Sequence, residues 1–273
     1  MEHNPTQSPQ KVLITGASKG IGYAIAKQLS TFPSEFQVFG TTRNVASLSE
    51  DQKLENVQYF NLDLNDPASI ASLGSELTEI DILINNAGCS QNGPVEEVPL
   101  SFVRNYFEVN FFGLLALIQT YLPHMRKQRA GYLINISSMA GVSPVPFSSF
   151  YAASKAAVNA LSYGLEGELH SFGINVVIIA PFDINTDLPQ DFRTSSTSEY
   201  YPLSSQVKSA RDKGLSQAPS PTIIGDLVEQ ILRTSHPKSF YPVGKNAKLK
   251  FYLIKHLPRR TVAKLTRKMF NIP

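Results

Sequence analysis

The sequence predicts an α/β fold, a doubly wound, seven-stranded parallel sheet with helices on both faces, and three observations predict it. Short β-rich runs alternate with helical patterns from residue 11 to residue 243, the rhythm of βαβ units. Most of those runs are apolar at consecutive positions, as strands are when helices cover both sides of a sheet. The composition can close one large core: 273 residues, 42% hydrophobic and 17% charged. Cys89 is the sole cysteine, so there is no internal disulfide, and the chain suits a reducing compartment.

The strands are read at KVLIT (11–15), FQVFGTT (36–42), VQYFNLD (57–63), IDILINN (80–86), GYLINIS (131–137), INVVIIA (174–180) and SFYPV (239–243). Helices are read near 20–31, 67–78, 100–128, 150–170 and 222–233. Residues 1–10 are polar and are expected to be disordered. They contain no apolar segment of the kind a secretory signal needs, and no 18-residue apolar run occurs anywhere, so a cytoplasmic chain is expected. Residues 183–220, rich in Ser, Pro, Gln and charge, are too long for an ordinary connection and are read as a substrate lid inside a single domain spanning 11–243.

Net charge is +3, but its distribution is uneven. No acidic residue follows Glu229, while the last 44 residues hold eleven basic ones; the preceding body holds 14 basic against 22 acidic residues, or −8. Residues 244–273 are read as a basic amphipathic helical extension cut in two by Pro258. Its apolar stripes, Leu249, Tyr252, Leu253 and His256 in one half and Val262, Leu265 and Met269 in the other, dock on the body or a partner subunit, or rest peripherally on anionic lipid. In either case the tail is expected to lie outside the chemistry. Nucleic acid is not an expected partner, because the body is acidic and the tail lacks a binding motif. The five histidines show no metal-ligand spacing, and no metal is expected.

The first βα turn reads Thr15-Gly16-Ala17-Ser18-Lys19-Gly20-Ile21-Gly22. Glycines between a strand and a helix allow a tight turn and close approach of a ligand, and the free amides of the helix start attract phosphate. The spacing, G-x-x-x-G-x-G, differs from the usual dinucleotide fingerprint. The second strand ends Thr41-Thr42-Arg43 with no carboxylate until Glu50. A carboxylate there would accept a ribose 2′-hydroxyl; Arg43, together with Lys19, instead suits a 2′-phosphate, hence NADP(H). Asp63 is placed to accept from the adenine amino group. In Asn85-Asn86-Ala87-Gly88 the amides can satisfy strand-end backbone while the small residues leave room for ribose.

Ser138 is followed by Tyr151 thirteen residues later and by Lys155 four residues after that. On a helix, i and i+4 share a face, so phenol and ammonium point into one cleft. A free phenol is a poor base near neutrality, and a neighbouring ammonium is expected to lower its pKa. Ser138, at a strand end, can donate to a substrate oxygen, and Asn110 can hold Lys155 through a water.

In this order and spacing, TGASKGIG, NNAG, VN, ISS and YAASK resemble the short-chain dehydrogenase/reductase superfamily, in its subgroup of single-domain, Rossmann-type oxidoreductases of about 250 residues. The resemblance covers residues 11 to about 186. It implies Tyr151 as general acid/base, Lys155 lowering its pKa and binding the nicotinamide ribose, Ser138 orienting the substrate carbonyl and Asn110 completing a proton relay. It also implies Ile184 and Thr186 against the nicotinamide carboxamide, and a homodimer or homotetramer through the helices near 110–128 and 150–170. One departure stands out: Phe182 occupies the place after Pro181 where the family commonly has glycine, which bears on substrate geometry. The segment 139–148, with Met139, Val142, Pro144, Val145, Pro146 and Phe147, is largely apolar and favours a lipophilic carbonyl or alcohol. The chain looks most like members acting on steroids, retinoids or acyl lipids, including reductases of acyl-dihydroxyacetone phosphate. A non-catalytic dinucleotide-binding protein of the same fold is the alternative, which the loss of Ser138, Tyr151 or Lys155 would have favoured.

Overall fold

Parallel pairing dominates the computed structural model, which describes residues 8–186 and 190–273. The strands β1 (Gln10–Ile14), β2 (Phe36–Thr42), β3 (Val57–Asn61), β4 (Ile82–Asn85), β6 (Gly131–Ile136), β7 (Ile174–Pro181) and β9 (Phe240–Val243) form one seven-stranded sheet in the order β3-β2-β1-β4-β6-β7-β9. All neighbours run parallel. The strand order reverses direction at β1, which lies between β2 and β4. A crevice therefore opens at the carboxyl ends of β1 and β4, the place where ligands bind in open α/β sheets.

Alternate side chains feed two separate cores. On one face Val12, Ile14, Ile82, Ile84, Ile134 and Val177 pack on α1 (Gly20–Leu29) and α7 (Thr222–Leu232) through Ile25, Leu29, Ile224 and Val228. On the other, Leu13, Leu83, Leu133 and Val176 pack on α2 (Pro67–Glu76), α4 (Gly113–Gln128) and α5 (Ser149–Leu169) through Leu73, Leu117, Tyr121 and Val158. Full burial of each such aliphatic side chain contributes about 1.5–3 kcal/mol, which is why these runs are continuously apolar. Pro67 starts α2 without losing a bonded amide, and Asp66 caps it by accepting from Ala68 N at 2.9 Å.

Several details depart from the sequence reading. The first strand begins at Gln10, which pairs with Phe36; of residues 1–10, expected to be disordered, 1–7 lie outside the described residues. The helix expected over 100–128 is broken: α3 (Leu100–Phe107) and α4 are joined by a π-helical turn over Glu108–Phe112. At the exit of that turn Gly113 packs so closely on Leu64 that a Cβ would lie 2.6 Å from the Leu64 carbonyl oxygen. The region read as a lid holds two elements that had no apolar signature. β8 (Gln190–Phe192) pairs with β5 (Ser90–Asn92), apart from the main sheet, and α6 (Tyr201–Ser216) buries only Ser204 and Val207. The tail forms α8 (Ala247–His256) and α9 (Arg259–Met269), separated at Pro258. Among the described residues no helix is long and apolar enough to cross a membrane.

Candidate active site

The crevice deepens into a cavity of about 1010 Å³. Its floor at the β1 end is the glycine turn. Gly16 (φ +69°) and Gly20 (φ +58°) take left-handed conformations that only glycine adopts without strain. The turn is braced from β4: Asn86 Nδ2 donates to the carbonyls of Thr15 (2.9 Å) and Gly16 (3.3 Å), while Thr15 Oγ1 accepts from the amides of Asn86 and Ala87 (2.9 Å each). Gly16 N donates to Thr41 Oγ1 at 3.3 Å, tying the turn to β2.

Of the residues expected to contact a dinucleotide, Gly16, Ser18, Lys19, Gly20, Ile21, Arg43, Asp63, Asn86, Ile184 and Thr186 all line this cavity. Gly22 does not. Its α-carbon packs on the turn itself, and a Cβ there would sit 2.2 Å from Gly16 O and 2.5 Å from Asn86 Nδ2, so its task is to let α1 approach β1. Lys19 and Arg43 are exposed at the rim. Asp63 accepts from Asn65 N at 2.9 Å, which leaves its other carboxylate oxygen for a ligand. A glycine turn with open amides and two cations at the rim fits the phosphates of a nicotinamide dinucleotide.

Ser138, Tyr151 and Lys155 line the same cavity, where β6 ends and α5 begins. Ser138 Oγ accepts from Ala140 N at 3.1 Å and shares a hydrogen bond with the Tyr151 phenol. Lys155 is 6% exposed and its ammonium donates to the Ile136 carbonyl at 2.9 Å. Burial pulls its pKa down to about 8. The expectation that Lys155 lowers the phenol's pKa needs correction. Burial holds Tyr151 above the ordinary value of 10.0, and what opposes it is the Ser138 hydrogen bond followed by the charge of Arg211.

Asn110 is also placed differently from the expectation. It sits buried in the π-helical turn and does not line the cavity. Its Oδ1 accepts from Cys89 N at 3.0 Å, and its Nδ2 donates to Cys89 O (3.1 Å) and Ser154 Oγ (3.2 Å). Tyr106 donates to the same Cys89 carbonyl. The side chain thus clamps the strand-end loop against α5, with Gly88 between Asn110 and Lys155. The Cys89 thiol is pushed up to about 11 by burial and is inert near neutrality.

The outer half of the cavity was legible in the sequence only in part, as the segment 139–148 and the lid 183–220. Met139 and Val145 from the apolar segment line it, whereas Pro146 and Phe147 border a separate, smaller depression with Tyr200. The remaining wall comes from α6, through Arg211 and Leu215, and from the tail, through Leu253, Leu265 and Met269. The expectation that the tail lies outside the chemistry is therefore overturned. Phe182 explains part of its docking: Lys250 Nζ lies 3.4 Å from the centre of the Phe182 ring, a cation–π contact, while Phe251 stacks on Phe240 at 4.7 Å. Gln206 of α6 donates to the carbonyls of Phe270 (2.5 Å) and Asn271 (2.9 Å), fastening α6 to the end of the tail. A glycine at 182 would leave Lys250 without its ring.

Comparison with known proteins agrees with this geometry. The pattern of the family described as "short chain dehydrogenase" matches residues 10–197. The chain is 32% identical over 254 residues to an uncharacterised oxidoreductase, YusZ, of Bacillus subtilis, covering 87% of this chain and 90% of that one. It is 38% identical over 182 residues to a 3-ketodihydrosphingosine reductase of Bacteroides thetaiotaomicron, covering 65% of each. A solved short-chain dehydrogenase from Streptomyces avermitilis superposes with a TM-score of 0.80 at 30% identity, covering 96% of both chains. By sequence, sheet order and site, the chain belongs to the short-chain dehydrogenase/reductase family of oxidoreductases, a family that binds a nicotinamide dinucleotide and acts on small molecules at CH–OH or carbonyl groups.

Proposed function

We propose that the protein is an NADP(H)-dependent oxidoreductase that interconverts a carbonyl and an alcohol on a lipophilic small molecule, with Tyr151 as the general acid/base. The observation that carries this reading is the meeting of Ser138, Tyr151 and Lys155 on one cavity that also receives the glycine turn. A bound nicotinamide dinucleotide supplies the hydride equivalent for reduction or accepts it in oxidation. Ser138 donates to the substrate oxygen and orients it towards the phenol. In reduction Tyr151 gives its proton to that oxygen as negative charge develops there, and in oxidation it takes the proton back. Lys155 spends one ammonium hydrogen on Ile136 O and keeps the others for the ribose hydroxyls and the phenolate.

Arg43 and Lys19, with no carboxylate at the end of β2, support NADP(H) over NAD(H). The apolar wall shared by Met139, Val145, α6 and the tail supports a lipophilic substrate, as does the similarity to a reductase whose name carries a long-chain keto lipid base. The tail helices expose Leu249 (60%), Tyr252 (61%), Leu265 (51%) and Met269 (52%) beside eight cations and no acid. That surface supports peripheral contact with anionic lipid, which would deliver a lipophilic substrate directly to the cavity mouth. Self-association is assigned to α4 and α5, where Tyr163 stays 47% exposed.

Replacement of Tyr151 by Phe tests the core of the reading. NADPH oxidation with a panel of lipophilic ketones and aldehydes should fall by at least about 10³-fold, while NADPH still binds. Retained turnover would remove Tyr151 from the proton-transfer role.

A further inference from the structure

Arg211, on α6, is a charged group in the cavity that neither the glycine turn nor the Ser138–Tyr151–Lys155 group accounts for. Its Nη1 donates to Asn92 Oδ1 at 2.7 Å and to Ser148 Oγ at 2.6 Å, and Ser148 Oγ donates in turn to Asn92 Oδ1 at 2.5 Å. Ser148 immediately precedes α5, and Tyr151 lies three residues further on. This network therefore fixes the guanidinium within about one helical turn of the phenol, and the charge of Arg211 acts on Tyr151.

The position is costly for a cation. Burial opposes its charge, and it stands at the amino end of α5, where the helix dipole is itself positive. Compensation from the protein is incomplete. The cavity-lining carboxyl that acts on it is Asp183, which is shared with Lys250 and whose own pKa is raised by burial. Only Nη1 is engaged; Nη2 and Nε donate no hydrogen bond among the described residues. The outer half of the cavity thus combines an apolar wall with a positive point, held rigidly beside the reacting centre and with donors to spare. An oxyanion on the substrate would relieve that charge with a two-pronged, charge-assisted hydrogen bond.

Building on the function proposed above, we propose that Arg211 is a specificity-determining residue that receives an oxyanion of the substrate. The substrate class is then an apolar chain bearing a carboxylate or similar anionic oxygen group within a few bonds of its reacting carbonyl or alcohol. The apolar chain runs along Leu215 and Leu253 towards α8 and α9. A neutral chain binds less tightly, and a protonated amine least of all.

Binding of decanoate, decanol and decylamine to the full chain saturated with NADPH, measured by calorimetry, tests this without depending on turnover. The wild-type protein should prefer decanoate over decanol by about tenfold or more, the worth of one charge-assisted hydrogen bond, and should reject decylamine. Arg211→Met should lose that preference while keeping NADPH affinity, and Arg211→Lys should restore part of it. An equal decanoate-to-decanol ratio in the wild type and in Arg211→Met would overturn the proposal. So would a wild-type protein that shows no preference for decanoate, a result readable even if a variant fails to fold. Absence of NADPH oxidation with any carbonyl compound would instead count against the proposed function, and the two failures are thereby separate.

Discussion

Replacing Lys155 with Met should have opposite effects on stability and on activity, and the stability effect should depend on pH. The ammonium is 6% exposed, and its pKa falls from the ordinary 10.5 to about 8 because burial disfavours its charge. At about 1.4 kcal/mol per unit, that drop corresponds to about 3 kcal/mol of destabilisation at neutral pH. The unfolded chain binds this proton more tightly than the folded one. The cost is therefore fully present below pH 8 and disappears as pH rises from about 8 towards 10.5. Methionine removes the cost but leaves the Ile136 carbonyl without its 2.9 Å donor, a pH-independent loss of about 1–3 kcal/mol. The variant should thus equal or exceed the wild type by up to about 2 kcal/mol at pH 7. By pH 10 it should have lost about 2.5 kcal/mol relative to the wild type, as the wild-type ammonium gives up its proton on folding. Urea unfolding of both proteins at pH 7, 8, 9 and 10, without added dinucleotide, measures this difference, in which the other titrating groups cancel. A stability difference that stays flat over this range would refute the buried-ammonium reasoning. Turnover should be abolished at every pH.

Three further outcomes follow from the geometry. Gly22→Ala places a methyl group 2.2 Å from Gly16 O; it should cost about 1–3 kcal/mol by urea unfolding and weaken NADPH in a fluorescence titration, and an unperturbed protein would show that the turn is not packed as described. Arg43→Ala should weaken NADPH by about tenfold or more through loss of a charge-assisted contact while leaving NADH nearly unchanged, and equal weakening would contradict the 2′-phosphate assignment. A chain ending at Val243 lacks α8 and α9 and with them part of the cavity wall. It should keep NADPH binding but lose turnover of long-chain substrates and sedimentation with anionic vesicles, and equal vesicle binding by both lengths would remove lipid from the list of partners.

The seven-stranded parallel sheet and the glycine-turn end of the cavity were legible because their information is local. Continuous apolar runs mark strands covered on both faces, Gly16 and Gly20 occupy backbone conformations that favour glycine, and YAASK puts two functional groups on one face of one helix. α6 escaped because its buried side is Ser204 and Val207, which leave no helical stripe. The π-helical turn escaped because Gly113 meets Leu64, a neighbour remote in sequence, and the direct partners of Asn110, Cys89 and Ser154, were not foreseen beside the water-mediated link to Lys155 that was expected.

The substrate side depended on tertiary contact. Nothing in the order of residues tells Lys250 to sit on Phe182, Gln206 to hold the carbonyl of Phe270, or Arg211 to reach Ser148 beside the phenol. These pairs are 63 to 68 residues apart, and each depends on how α6 and the tail pack across the mouth of the cavity. Hydrophobic periodicity encodes that a face is buried, whereas the identity of what buries it is set only when the chain has folded. For that reason the motifs of the family could be read from the sequence, while the way α6 and the tail close over the cavity required the structure.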